Sequence, residues 1–109
     1  MIPFKFSPVV RFTVEGTYND EDGLANPFSF WLKCERLETD VINDWFKRPG
    51  ALVADFVVTV AKDWGDVKTA DGQAVPFSDE NLRAFLAQAG MGQVCFQRYM
   101  QEAGAKPKN

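Results

Sequence analysis

The side chains of this chain that could do chemistry are two cysteines, Cys34 and Cys95, and two groups of carboxylates. The carboxylate groups are Glu15, Asp20, Glu21 and Asp22, and then Asp79 with Glu80. Nothing else joins them, because the chain contains no histidine. Without an imidazole there is no His-activated nucleophile, no His metal ligand and no switch titrating near neutrality. The cysteines lack C-x-x-C spacing, so both read as structural thiols kept reduced in a cytosolic setting. Paired carboxylates can run acid–base chemistry when their environments drive their pKa values apart. Here the first group lies in a turn and the second at a helix start, and both places favour acidic residues without catalysis.

The acidic turn also invites a test for calcium. An EF-hand loop alternates oxygen ligands before a glycine and places a glutamate six residues after it. Aligned on Gly23, the chain offers Tyr18, Asp20 and Asp22, with Ser29 where the glutamate belongs. The first and last ligands are wrong, so a solvated turn is expected and no metal. No G-x-x-x-x-G-K-[ST] phosphate loop occurs. Gly90-Met-Gly92 reads as a helix–helix connection, lacking the preceding strand of a dinucleotide fingerprint. The expectation is a non-enzymatic protein with no cofactor.

The elements that position these residues fit in 109 residues, the length of one domain. We read 1–104 as that domain and 105–109 as a mobile polar tail. Twelve Lys+Arg against 15 Asp+Glu, a net charge of -3, argue against a general nucleic-acid binder, which would need a basic face for phosphate. No apolar run approaches the roughly 18–20 residues of a membrane span. The start, Met1-Ile-Pro-Phe-Lys-Phe6, lacks the apolar block of a signal peptide.

Val10, Phe12 and Val14 alternate with polar residues, as do Phe28, Phe30, Leu32 and Cys34. This period of two predicts two half-buried strands. They are expected to pair antiparallel across a long turn-rich loop from Gly16 to Pro27. Phe4-Lys-Phe6, flanked by Pro3 and Pro8, reads as at best a short edge strand. Leu37, Val41, Ile42, Trp45 and Phe46 predict a short helix, with Thr39 or Asp40 as N-cap and Pro49-Gly50 as its stop. Residues 51–64 carry a β-branched run, Val57-Val58-Thr59-Val60. The stripe Leu52/Val53, Phe56/Val57, Val60/Ala61, Trp64 nevertheless predicts one helix of nearly four turns. Residues 65–76 form a loop with a turn at Asp71-Gly72. Ser78 caps the next helix, Asp79 and Glu80 fill its first turn, Phe77 is placed to staple onto Leu82, and Gly90 ends it. A last helix runs through Val94, Cys95, Phe96, Tyr99, Met100 and Ala103, and Gly104 stops it. The fold class is α+β: an N-terminal antiparallel β-hairpin or small sheet, then about four packed α-helices.

Ten Phe, three Trp and two Tyr are more than such a domain hides easily. Two readings stand side by side, an aromatic-rich core or an exposed groove drawn from Trp31, Trp45, Phe46, Trp64 and Phe77. Trp31 lies on a strand's polar face, to be covered by a helix or left as a contact residue. An acidic rim around an apolar groove would suit an amphipathic, partly basic helix of a partner.

Three segments resemble the tail assembly chaperones of long-tailed phages and prophages. The chain opens Phe6-Ser-Pro8-Val-Val-Arg-Phe12-Thr-Val14, an F-x-P start into a strand. Its middle reads Trp64-Gly-Asp-Val67, then Asp71-Gly72-Gln-Ala-Val75-Pro76-Phe77-Ser78-Asp-Glu80-Asn-Leu82, which matches the family's W-x-x-V and D-G-x-x-V-P-F-S-x-E-x-L. It closes in a helix through Phe96 and Tyr99 with a short Lys/Asn-rich tail. The resemblance covers almost the whole chain; Pro49-Gly50 has no counterpart, and the middle motif is the most specific part. It implies a non-enzymatic protein of the bacterial host cytoplasm, absent from the mature virion. That protein would hold the hydrophobic tape measure protein in solution and help recruit major tail (tube) protein subunits. The partners so implied are the tape measure protein and the tube protein, with weak self-association and neither nucleic acid nor membrane. The family also implies a minor form extended by a −1 frameshift, and the codons of Lys108-Asn109 suit such a slip. The alternative is a small structural virion protein, a tail completion or connector component.

Overall fold

A computed structural model describes residues 6–107. The chain folds into two long strands, β1 (Val9–Asn19) and β2 (Ala25–Glu35), and two helices, α1 (Thr39–Phe46) and α2 (Val53–Val60). A short strand β3 (Ala61–Gly65) and helices α3 (Asp79–Leu86) and α4 (Met91–Ala103) follow. The sheet is antiparallel in the order β1-β2-β3, and the architecture is α+β. Phe4 and Lys5 of the expected edge strand, and Lys108-Asn109 of the tail, lie outside the described residues.

Phe12, Val14, Phe30, Leu32 and Cys34 are buried on one face of the sheet, and their odd-numbered neighbours point the other way. The alternation of the sequence is thus the alternation of the fold. The connection is far shorter than the expected Gly16–Pro27 loop, because pairing continues from Val9↔Glu35 to Asn19↔Ala25. Two residues that suggested a loop are accommodated by their neighbours. Gly16 lies under the ring of Phe28, its cross-strand partner, and a Cβ there would come within 2.6 Å of that ring. Pro27 costs no ladder bond. The Arg36 N–H donates to the Pro8 carbonyl at 2.8 Å, so even-numbered residues make the β1–β2 bonds and odd ones face outward. The nitrogen of Pro27 therefore faces β2's other side, where β3 has already ended. At the tip, the Asp20 carboxylate accepts from the Asn26 side-chain amide and from the backbone N–H of Leu24 and Asp22. These bonds, Asn26's above all, hold its pKa below the usual carboxylate range.

The expected single helix over 51–64 is corrected. The chain leaves the helix after Val60 and enters β3 at Ala61, whose backbone is extended. Ala61 pairs with Cys34, Asp63 with Lys33 and Trp64 with Leu32, so Lys62 is an extra residue bulging from the ladder. The bulge puts Ala61 and Trp64, three apart, on the same buried face. Spacing by three is also the signature of a helix, which is why the periodicity misled. Two caps are corrected as well. The N-cap of α1 is Glu38, without a side-chain cap bond, and Gly90, at φ 85°, starts α4 where it was expected to end α3. Ser78 caps α3 as expected, accepting from the Asn81 N–H at 3.0 Å.

The helices close over the inner face around Phe56, which is fully buried. Its ring meets Trp45, Phe46, Phe96 and Tyr99 at centroid distances of 5.1–5.5 Å. Helices α2 and α4 approach closely because Gly92 has no side chain; a Cβ would lie 3.2 Å from that of Ala54. Tyr99 ties α4 to the sheet: its hydroxyl donates to the Glu35 carbonyl at 2.8 Å and accepts from the Leu37 N–H at 3.2 Å. Arg36 adds to this end, donating to the carbonyls of Ser7 and Ala103. In the tail, Lys106 pairs with Glu102 at 2.8 Å. Among the described residues no helix is long and apolar enough to cross a membrane.

Phe56 is the fully buried ring on which four others of this layer converge. Phe56→Ala should destabilise the fold by about 3–5 kcal/mol, through lost burial and the cavity left behind. Half-buried Phe46→Ala should cost less. Chemical denaturation of both variants checks the order, and equal losses would place the centre of the core elsewhere.

Candidate functional site

The five aromatic residues singled out from the sequence do not form one groove. Trp45 and Phe46 belong to the cluster around Phe56, with Trp45 9% exposed and the Arg48 guanidinium over its ring. Trp64 is 5% exposed in a second cluster. An exposed role for Trp45 and Trp64 is corrected, since both rings are enclosed by other aromatics. Phe77 is half-buried with its ring 5.5 Å from that of Trp64, and it serves as packing. Trp31 lies on the outer face of the sheet, and among the described residues no other aromatic ring meets it. Its indole leans over Gly65, where a Cβ would lie 2.2 Å from Nε1, and the Arg11 guanidinium sits 4.0 Å from its ring centre. The half-buried Trp31 is therefore held by its cross-strand neighbours.

The second cluster explains the spacing of the middle motif. Gly65 ends β3, and Asp66 takes a left-handed backbone, φ 64°, that turns the chain off the sheet. The Val75 N–H donates to the Val67 carbonyl at 2.8 Å, and Lys68 and Ala74 form a bridge below the turn at Gly72. The indole N–H of Trp64 then donates to the Val75 carbonyl at 2.8 Å. Pro76-Phe77-Ser78 follows, carrying Phe77 onto Trp64 and Ser78 into the cap of α3. The motif is one clasp, closed by an indole hydrogen bond and an aromatic contact.

The clasp forms one wall of a groove of about 830 Å³. The opposite wall is the distal half of the hairpin, which extends past β3. Phe28 and Phe30 supply its floor, Tyr18 its outer end, and Phe85 and Met91 the helical side. Phe30 meets Phe85 edge-on at 5.1 Å, and Phe85 meets Trp64 at 5.5 Å, so the floor is continuous with the clasp. Tyr18 is 58% exposed and Phe28, Phe85 and Met91 are half-buried. Sequence reasoning placed Phe28 and Phe85 on core-facing stripes and missed them as a site. The signal was Tyr18 on β1 and Phe28 and Phe30 on β2, on one face of the sheet, with too few helical residues to cover them all. A second, shallower cleft of about 640 Å³ lies between Pro8, Leu37 and Ala103. Its guanidinium, Arg36, is already engaged by the carbonyls of Ser7 and Ala103.

Neither cysteine lines the groove. Cys34 and Cys95 are each 1% exposed in the core, and burial pushes both thiols up to about 12. Among the described residues no group of three or more His, Cys, Asp or Glu side chains is gathered for a metal ion. No protein-family model, curated protein or solved structure matches the chain.

Two outcomes follow for these residues. Trp64→Phe should leave the Val75 carbonyl without its indole partner and cost about 1–3 kcal/mol, while Ser78→Ala should cost about 1 kcal/mol. Urea titration measures both, and an unchanged Trp64→Phe midpoint would show that the indole bond does not hold the clasp. Native protein at pH 8 should leave both thiols unmodified by a disulfide reagent, with reaction beginning only on unfolding. Prompt labelling of the native fold would contradict their burial.

Proposed function

We propose that this chain is a non-enzymatic (pro)phage tail assembly chaperone. In this reading it binds the tape measure protein in the host cytoplasm, helps recruit tail tube subunits and is left out of the finished virion. The observation that carries the reading is the middle motif, from Trp64 to Leu82, together with where it lies. The residues that resemble the family build the clasp, and the clasp walls the aromatic groove. A protein that keeps an apolar client in solution needs such a surface, with charge around it for its own solubility. It must also release its client when tube subunits arrive. A shallow groove repeated over many bound copies suits that need, because each contact is weak and the array supplies the affinity.

Co-expression with the tape measure protein of the same genome tests the proposal. The native chain should keep the tape measure protein in the soluble fraction. Phe85→Ser, with its fold confirmed by circular dichroism, should let it precipitate. A soluble tape measure protein in the absence of this chain would overturn the reading. Mass spectrometry of purified particles supplies a second test: the chain in stoichiometric amounts would make it a structural virion component instead.

A further inference from the structure

We infer that the groove takes its partner as an extended strand, added to the open side of β2. The inference rests on the reading of this groove as a client site and specifies the chemistry of the bound segment. β2 pairs with β3 only from Trp31 to Cys34, while β1 pairs along its whole length. On the far side of β2, the N–H and C=O of Ser29 and the C=O of Pro27 therefore have no ladder partner among the described residues. The chain that would have continued β3 turns away at Asp66. Ser29 also lines the groove, so unpaired main chain and an apolar floor lie side by side. That pairing is the requirement for strand addition: backbone bonds supply affinity, and alternate side chains enter the pocket. A helix could fill the apolar floor but has no free backbone groups to offer Ser29.

The charges around the groove specify the rest. Among the described residues the charged side chains lining the groove are Asp66 and Lys68, and Asp20, Glu21 and Asp22 stand at the hairpin tip just beyond Tyr18, so the surroundings are acidic on balance. The segment that fits is extended, carries a large apolar residue at alternate positions for the floor by Phe28 and Phe85, and has Lys or Arg between them. Pro27 keeps the site short, since its missing N–H stops pairing from running on toward the tip.

The probe is a short synthetic peptide alternating Phe or Val with Lys, titrated into the intact chain. It should bind, and binding should weaken with salt. The same peptide with Glu in place of Lys should bind at least about tenfold more weakly. Ser29→Pro removes the open-side N–H and keeps the β1 ladder, as Pro27 already does two residues earlier. It should weaken peptide binding by about tenfold or more with the melting temperature little changed. Should that variant fold poorly, N-methylation of the peptide tests the same bond from the other side. Blocking alternate residues in one register should abolish binding, and blocking the other register should spare it. Equal binding by both N-methyl series, or tighter binding of a stapled helical peptide of the same composition, overturns strand addition. So does concentration-dependent self-association lost in Ser29→Pro with no peptide bound, which would make a second copy the occupant. The two readings fail separately. A tape measure protein kept soluble by Ser29→Pro but lost with Phe85→Ser would reject strand addition and keep the chaperone. Normal peptide binding with no effect on the tape measure protein would do the reverse.

Discussion

One extra residue in a five-residue strand decides how this molecule is built. Without the bulge at Lys62, Ala61 and Trp64 would fall on opposite faces of the sheet, because strand side chains alternate. With it, both face the core. Trp64 then reaches across to the Val75 carbonyl, meets Phe77 and Phe85, and fixes the clasp against α3. The groove wall, the direction of α3 and the edge-on packing of Phe30 on Phe85 follow from that single placement. A bulge re-aims a side chain in this manner, and here the side chain is an indole, the largest of the twenty.

The aromatic excess divides between two duties. Around Phe56, rings from α1, α2 and α4 fill the space between helices, and edge-to-face contacts add to what burial alone contributes. Around Trp64, a chain of rings leads from the clasp to the open floor of the groove. The first cluster is closed and the second opens to solvent at Phe28 and Tyr18. An aromatic core and an aromatic groove are thus both present: Trp45 and Phe46 go to the core, and the groove is lined by Tyr18, Phe28, Phe30 and Phe85.

What could be read from the sequence was governed by how local each signal is. The inward faces of β1 and β2, the start of α3 at Ser78 and the body of α4 from Val94 to its stop at Gly104 were readable, because alternation, a capping residue and a helical stripe act over a few residues. The reach of the hairpin was not, since Gly16 and Pro27 carry turn propensity in isolation. Only the ring of Phe28 and the open side of β2 make them strand residues. β3 was hidden for a related reason: its bulge imitates helical spacing, and it gains its bonds from a strand some thirty positions earlier. The groove was the least readable feature. It depends on where helical cover stops, and no single segment encodes that.

The tie between Tyr99 and the end of β2 has a consequence for how the chain reaches this shape. Its hydroxyl bonds Leu37 and Glu35 across 62 and 64 positions, and Arg98 bonds the Thr13 carbonyl across 85. During synthesis the hairpin emerges first and its cover last. Phe12, Val14 and Leu32 wait on a bare two-stranded ribbon, which is marginal by itself, until α4 leaves the ribosome. Contacts this far apart in sequence set a slow step, because the loop between them must close before burial rewards it. The newborn chain therefore passes through an interval in which its own apolar sheet face is exposed.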